Sequence, residues 1–290
     1  MSAMFGPAGN AEDFPYKTSA DAPRWLREIG LDCYEYQCGK GVHVGEDTAR
    51  KVGLAAEKEG IVLSLHAPYF INLANPDPEA LQKTIGYITK ACLVADWMGA
   101  RRVVIHSGAL MKRTRREALD TALRSLEQVV AACDGEGFAH IALCPETMGK
   151  INQLGDLDEV LELCTLDPRL IPCVDFGHLY ARSLGADEGP EAMARMLDRM
   201  EEVLGAERAG RFHSHFSHIE FTPGGGEKCH RTFADDGGYG PDWTPLAAEV
   251  VRRGWSPTFI CESAGTQAGD ASAMKKIYQD LEKRAGRKEV

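Results

Sequence analysis

The chain has 290 residues, of which 44% are hydrophobic and 26% charged, and a formal net charge of −10. This length allows one large α/β domain with a substantial core. The acidic charge alone argues mildly against a nucleic-acid partner, because contact with phosphates usually needs a basic surface, although bound metal ions would change the local sign.

We expect a cytoplasmic protein without a membrane partner. No apolar stretch approaches the ~20 residues that span a bilayer, and the N-terminal sequence lacks the basic and apolar regions of a secretory signal. The nine cysteines include no C-x-x-C pair. Several lie in apolar runs, among them Cys144, Cys173 and Cys261. They are therefore expected to be reduced, buried thiols, as in cytosolic proteins.

Strand-like and helix-like segments alternate along the chain. The predicted strands are Met4–Phe5, Leu31–Tyr36, Ile61–Leu65, Arg102–Ile105, Ile141–Cys144, Pro172–Val174, His213–Phe221 and Thr258–Cys261. The predicted helices are Ala22–Ile29, Asp47–Glu59, Asp77–Met98, Arg115–Ala132, Asp156–Cys164, Glu188–Leu204, Pro245–Arg253 and Ala271–Lys283. Such alternation predicts parallel strands joined by right-handed crossovers.

Eight such units favour an α/β fold of the (β/α)8 TIM-barrel type over an open doubly wound sheet. A dinucleotide-binding fold is disfavoured further because no G-x-G-x-x-G follows the first strand. The segment Gly224–Gly226 is predicted to form a loop at the functional face. We expect one TIM-barrel domain over residues 1–290.

Six of the apolar runs end in a histidine or a carboxylate. The residues are His66, His106, Glu146, Asp175 with His178 three positions later, His215 and Glu262. Each by itself is consistent with a hydrogen-bonded residue at a strand end. In a TIM barrel, however, all of these ends open onto one face, where the active site lies. Histidine, glutamate and aspartate are also the side chains that bind zinc or manganese.

This combination of carboxylates and histidines suits two or three closely spaced metal ions. A single ion would leave some of the carboxylates without a partner. Sites with two metals lower the pKa of bound water and stabilise both the attacking and the leaving oxygen in phosphoryl displacement. The pattern therefore points to hydrolysis of a phosphoester.

One segment resembles a known family. The run His66-Ala-Pro-Tyr-Phe-Ile-Asn-Leu-Ala74 fits the pattern H-x-x-Y, two apolar residues, Asn, an apolar residue and a small one. That pattern is the first signature of the endonuclease IV family (family-2 apurinic/apyrimidinic endonucleases). The later blocks V-I-H-S-G-A, P-E-T and C-V-D-x-x-H follow in the family's order. The chain thus resembles a divergent member of this family.

The resemblance implies a zinc-dependent, xylose-isomerase-like TIM barrel that acts on damaged double-stranded DNA, cutting 5′ to an abasic site by metal-bound hydroxide. It implies metal ligands at His66, His106, Glu146, Asp175, His178, His215, His230 and Glu262. Glu146 would bridge two ions, and His178 and His230 would hold a third. Tyr69 and Phe70 match residues that enter the DNA minor groove, although they are equally consistent with packing on the barrel mouth.

The ligands of the third ion are the first of three places at which the sequence departs from the family, the others being Asp175-Phe-Gly-His178 and the residues after His215. The family has an aspartate two residues before the last histidine, where this chain has Lys228. An ammonium group cannot bind a cation. Either the third ion is absent, or Glu227 or water replaces the aspartate, or Lys228 contacts the phosphate itself. We therefore expect two or three Zn²⁺ ions, with catalytic roles for Glu146, Glu262 and Lys228.

A sugar isomerase or epimerase of the xylose-isomerase-like group is the alternative. Such an enzyme would hold one ion, such as Mn²⁺, with Glu146, Asp175, His215 and Glu262, and its two glutamates would move protons of a small sugar. His66, His106 and His230 favour the phosphodiesterase, because a single-ion site does not need them. A non-catalytic barrel is a further possibility, and nothing in the sequence calls for an obligate protein partner.

Overall fold

The computed structural model of the chain describes residues 2–286. Its barrel strands are β1 (Met4–Pro7), β2 (Cys33–Gln37), β3 (Val62–His66), β4 (Arg102–His106), β5 (Ala142–Glu146), β6 (Cys173–Asp175), β7 (His213–Phe216) and β10 (Thr258–Cys261). A separate hairpin consists of β8 (His218–Thr222) and β9 (Gly226–Arg231). The expected domain covers residues 1–290, of which residue 1 and residues 287–290 lie outside the described range.

The helices surround the barrel. They are α1 (Ala22–Glu28), α2 (Glu46–Glu59), α3 (Pro78–Met98), α4 (Arg115–Gly135), α5 (Leu157–Thr165), α6 (Phe176–Arg182), α7 (Gly189–Leu204), α8 (Ala206–Ala209), α9 (Trp243–Arg253) and α10 (Gln267–Gly286). Every helix within residues 2–286 is too short or too polar to cross a membrane.

The predicted TIM barrel is confirmed. The eight strands are parallel and follow the order β1-β10-β7-β6-β5-β4-β3-β2. The first and last strands of this order meet at a seam, where Ala8 pairs with Glu35 in a parallel bridge. Two backbone hydrogen bonds reinforce the seam, from Asp32 N to Phe5 O (2.8 Å) and from Gly9 N to Glu35 O (2.9 Å). The sheet is thereby almost closed.

Local sequence signals explain where the longest helices begin and end. Helix α3 starts with Pro78 and stops at Gly99, which adopts a left-handed conformation with φ 72°. Helix α4 begins with a capping box in which the side chains of Thr114 and Glu117 each bind the other's backbone N–H. These signals keep both helices close to their predicted bounds.

One predicted strand is wrong. His213–Phe221 does not run through as a single element, because the chain leaves the barrel at Ser217. Residues 213–216 pair with β6 and β10, whereas His218–Thr222 turns away and pairs in antiparallel fashion with β9. The Ser217 hydroxyl lies 2.8 Å from His230 Nδ1, so it ties the break to the hairpin. The Gly-rich segment forms the hairpin turn at the functional end of the barrel.

The barrel seam predicts a sharp difference between two glycine-to-alanine substitutions. A Cβ atom on Gly6 would lie 1.8 Å from Cys33 O, so Gly6→Ala forces β1 and β2 apart. We expect it to lower the free energy of unfolding by about 3 kcal/mol. Gly86→Ala, on the exposed face of α3 with open space around the new methyl group, should instead raise it by about 0.5–1 kcal/mol. Urea unfolding of the two variants checks this prediction, and equal stabilities would contradict it.

Candidate metal centre

The parallel register brings the polar strand ends to one end of the barrel. His106 lies opposite Glu146 in the β4–β5 pair, and Asp175 lies opposite His215 in the β6–β7 pair. His66 ends β3. Because each of these residues is the last or nearly the last of its strand, the side chains share one layer at the C-terminal face, as the sequence predicts.

Glu146 lies at the middle of this layer and is 1% exposed. Its Oε2 lies 3.2 Å from His66 Nε2 and 3.4 Å from His106 Nε2. Its Oε1 lies 2.9 Å from His215 Nδ1. One carboxylate therefore contacts imidazoles on three other strands, in the position that a ligand bridging two ions would take.

The candidate ligands form two groups, one around Glu146 and one that contains His178. Potential ligand atoms of Glu146, Asp175, His215 and Glu262 all lie within 4.8 Å of one another, and so do those of His66, Glu146 and His215. The second group consists of His178, Glu227 and His230, whose potential ligand atoms also lie within 4.8 Å of one another. His178 connects the groups, since its Nδ1 lies 3.6 Å from Glu146 Oε1 and its Nε2 lies 3.5 Å from Glu227 Oε2.

A β-bulge in β9 places Glu227, rather than Lys228, in the site. Glu220 pairs with Cys229 and Phe221 pairs with Glu227, so Lys228 is the extra residue of the bulge. Glu227 and His230 consequently line the cavity. Lys228 instead places its ammonium group 2.5 Å from Glu220 Oε1, with its side chain 54% exposed. The structure does not bring Lys228 together with the other predicted site residues.

Each histidine of the inner layer binds an acceptor with one nitrogen and faces the carboxylates with the other. The anchoring contacts are His66 Nδ1 to Ala67 O (2.7 Å), His106 Nδ1 to Tyr69 O (3.0 Å), His178 Nδ1 to Thr147 O (2.8 Å) and His215 Nε2 to Glu35 Oε1 (2.9 Å). Oxygens of carbonyl and carboxylate groups only accept, so the anchored nitrogens carry the hydrogens. Metal-binding histidines in proteins are oriented in this way.

The remaining atoms fit a divalent cation. Asp175 Oδ2 is buried and has no hydrogen-bond partner among the described residues. A buried carboxylate oxygen in that condition is costly unless a positive charge lies beside it. His215 Nδ1 faces carboxylate oxygens of Glu146 and Glu262. A proton or a metal ion must lie between such atoms, because the lone pairs of the nitrogen and the oxygen would otherwise repel each other. The donor set therefore fits a metal centre in both composition and orientation.

Electrostatics agree with that fit. Burial alone would raise the pKa of the Glu146 carboxyl, but the charge of His215 and hydrogen bonds from three histidines hold it well below its usual range. Burial alone would lower the pKa of His215, but the neighbouring Cys173 and the negative charges of Glu262, Glu35 and Glu146 raise it well above its usual value. Protons thus occupy the positions where a bound cation would supply the compensating charge.

A cavity of about 540 Å³ leads from this layer to the barrel mouth. Lys150, Gln153 and Gln267 line it together with the cluster. Tyr69 lines the cavity and is 52% exposed, whereas the adjacent Phe70 is 53% exposed and packs against Tyr87 with ring centroids 4.8 Å apart. Tyr69 also stacks on His106 with ring centroids 5.6 Å apart, so it both packs on the mouth and presents a surface to a ligand.

Glu35 is a site residue that the sequence prediction missed. It is 0% exposed and binds His215 Nε2, His213 Nε2 and the Ser64 hydroxyl. A charged residue between Tyr34 and Tyr36, inside a predicted strand, was the available signal, because alternation in a barrel strand points it into the interior.

Comparison with known proteins agrees with the fold. Residues 23–282 match the sequence model of a family described as xylose isomerase-like TIM barrel. An uncharacterised protein of Methanocaldococcus jannaschii is 32% identical over 281 residues, which cover 96% of this chain and 97% of that protein. A Mycoplasma pneumoniae protein named probable endonuclease 4 is 33% identical over 157 residues, 52% of this chain and 50% of that protein.

Solved structures resemble the whole barrel. A D-tagatose 3-epimerase-like protein has a TM-score of 0.70 at 18% identity, covering 90% of this chain and 93% of that one. Endonuclease IV from Thermus thermophilus has a TM-score of 0.65 at 16% identity, covering 92% and 94%. At such identities the likeness establishes the shared fold.

Substitution of two neighbouring residues of β9 should have different effects on metal content. Glu227→Gln removes a carboxylate that lies 3.5 Å from His178 Nε2, so it should reduce the number of bound metal ions, expected to be zinc, by one per chain. Lys228→Ala changes a half-exposed side chain that contacts Glu220, and should leave the zinc count unchanged. Elemental analysis of the dialysed proteins measures both counts. A loss of zinc in Lys228→Ala alone would contradict the assignment.

Binding at the His178 group should release a proton. Burial alone would lower the pKa of His178, but the charges of Asp175, Glu227 and Glu146 raise it to about 9. At neutral pH the metal-free imidazole is therefore protonated, and a metal ion would have to displace that proton, so metal affinity should rise with pH up to about 9. Calorimetry in buffers with different heats of ionisation should count about one more released proton in wild type than in Glu227→Gln. Equal proton release in the two proteins would contradict the prediction.

Proposed function

The chain belongs to the xylose isomerase-like TIM-barrel family, and we propose that it is a metal-dependent phosphodiesterase that cuts DNA 5′ to an abasic site. One observation carries the proposal: the cluster continues past the Glu146–Asp175–His215–Glu262 set to His66 and to the His178–Glu227–His230 group. A one-ion isomerase has no need of these additional donors. The similarity to a protein named probable endonuclease 4 supports the same activity.

The proposed metal is zinc, with two or three ions. A first ion would be held by His66, His106 and Glu146, a second by Glu146, Asp175, His215 and Glu262, and a third by His178, Glu227 and His230. When bound, such ions lower the pKa of water and neutralise charge on the phosphate. The mixture of imidazoles and carboxylates is the ligand chemistry that zinc prefers.

The two glutamates have different tasks in this proposal. Glu146 is fixed between imidazoles on three strands, so its role is to orient the reacting groups. Glu262 is more accessible, with its side chain 14% exposed to the cavity and its Oε2 3.5 Å from His215 Nδ1. Its carboxylate is therefore placed to take the proton of the attacking water. His178 and His230, across the cavity, stabilise the leaving oxygen, and Lys228 has no role because it lies outside the cavity.

Damaged double-stranded DNA is the proposed partner. Tyr69 presents a half-exposed aromatic ring at the cavity, and the ring of the adjacent Phe70 is equally exposed. Aromatic side chains of this kind can wedge into a duplex and help expose an abasic sugar. Lys150 in the cavity wall offers a positive charge for a phosphate. The whole chain has a net charge of −10. The positive charge that contacts DNA phosphates would therefore be concentrated at the mouth, where bound metal ions would add to it.

A sugar isomerase or epimerase is the second candidate. The observation in its favour is that Glu146, Asp175, His215 and Glu262 by themselves form a complete four-ligand set within 4.8 Å. Glu146 and Glu262 would then move protons at the carbon beside the carbonyl of a small sugar, with one Mn²⁺ ion bound. The resemblance of the whole barrel to a D-tagatose 3-epimerase-like protein supports this candidate.

A nicking assay tests the proposal. The zinc-loaded protein should cut a duplex oligonucleotide on the 5′ side of a single abasic analogue. Glu146→Gln should reduce the rate by more than about 10²-fold, because it removes a charge that at least three imidazoles contact. Glu57→Gln, on the exposed face of α2, provides the matched control and should retain full activity.

Two results would contradict the proposed function. The first is an intact oligonucleotide at high concentrations of metal-loaded protein. The second is epimerisation of a ketose by protein loaded with one Mn²⁺ ion per chain, which would establish the second candidate instead.

A further inference from the structure

A row of buried polar side chains runs through the barrel beneath the metal centre. Arg102 Nη1 lies 3.5 Å from His213 Nδ1, His213 Nε2 lies 2.8 Å from Glu35 Oε2, and Glu35 Oε1 lies 2.9 Å from His215 Nε2. The last three residues of the row are 0% exposed. Arg102 is itself fixed by Thr258 Oγ1 at 3.2 Å and by Arg211 O at 2.9 Å.

The chemistry of these groups gives the row one direction. A guanidinium group only donates hydrogen bonds, so His213 Nδ1 accepts and the hydrogen of His213 lies on Nε2. Glu35 accepts this hydrogen on one oxygen and accepts from His215 Nε2 on the other. His215 therefore keeps its hydrogen on Nε2, and its Nδ1 is left to face Glu146 and Glu262.

The row is not itself a second metal site. Cys173, His213 and His215 do place potential ligand atoms within 4.8 Å of one another. The permanent positive charge of Arg102, 3.5 Å from His213, would repel a cation there. Both histidines also already direct their Nε2 atoms at Glu35. Orientation of His215 is the role that remains.

We propose that Glu35, fixed by His213 and Arg102, is a positioning residue that keeps the hydrogen of His215 on Nε2 and presents Nδ1 to the metal centre. The inference rests on the proposed metal-dependent function, but its tests measure metal binding and tautomer rather than nicking. Removal of a carboxylate that orients a metal-binding histidine in this manner typically weakens metal affinity by about 10- to 100-fold.

Glu35→Gln replaces one acceptor oxygen of the row by a donor group with almost no change in side-chain volume. His213 Nε2 and His215 Nε2 contact different oxygens of Glu35, and an amide retains only one of these oxygens, so its N–H₂ group must face one of the two donors. Ser64→Ala is the matched control, because it removes another buried hydrogen bond to Glu35, 2.9 Å long, without altering the row.

The first test is zinc affinity measured by competition with a chromophoric chelator. The zinc bound through His215 should dissociate about 10- to 100-fold more readily from Glu35→Gln, whereas Ser64→Ala should stay close to wild type. Equal affinity in all three proteins would overturn the proposal, and so would a wild-type protein that binds no zinc.

The second test measures the tautomer in the wild-type protein, and a variant serves only to assign the signals. In zinc-loaded wild-type protein with ¹⁵N-labelled histidine, long-range ¹H–¹⁵N spectra distinguish the two nitrogens of each ring, and His215→Asn identifies the signals of His215. We expect the hydrogen of His215 on Nε2 and metal bound at Nδ1. A hydrogen on Nδ1 would overturn the proposal. The expected tautomer in a protein that does not cut DNA would overturn the proposed function alone.

Discussion

A single buried carboxylate determines how this site is built. Glu146 is 1% exposed, and a carboxylate removed from water is stable only if positive charge and hydrogen-bond donors surround it. Histidines on β3, β4 and β7 supply that environment at 2.9–3.4 Å. The cluster is nevertheless over-supplied with carboxylates, since Asp175 and Glu262 lie beside the same imidazoles. Divalent cations would neutralise this excess of negative charge, and protons do so in the metal-free protein.

The barrel supplies the geometry that this charge arrangement requires. Parallel pairing places His106 opposite Glu146 and Asp175 opposite His215, so ligands distant in sequence share one layer. Beneath that layer, the row from Arg102 to Glu35 fixes the ring of His215 from the interior. Above it, the hairpin β8–β9 adds Glu227 and His230. Fold, orientation and ligand supply thus come from three different parts of the structure.

The sequence predicts the barrel and the ligands at strand ends because both follow from short-range patterns. An apolar run that ends in His66 or Glu146 is visible in the sequence, and parallel pairing brings such ends together. Glu35 was missed because its role depends on neighbours 178 and 180 residues away in the chain. Whether Glu227 or Lys228 faces the site depends on a one-residue bulge in β9, and bulges leave no clear sequence pattern.

Anomalous diffraction from crystals of freshly purified protein, recorded on both sides of the zinc absorption edge, would show whether Glu146 bridges bound metal ions. We expect at least two zinc peaks at the C-terminal face of the barrel, with Glu146 in contact with two of them and His215 bound through Nδ1. We also expect Glu227 rather than Lys228 to accompany His178 and His230 at any third peak. A map without metal at Glu146, obtained from protein that had been supplied with zinc, would contradict a metal centre built around this carboxylate.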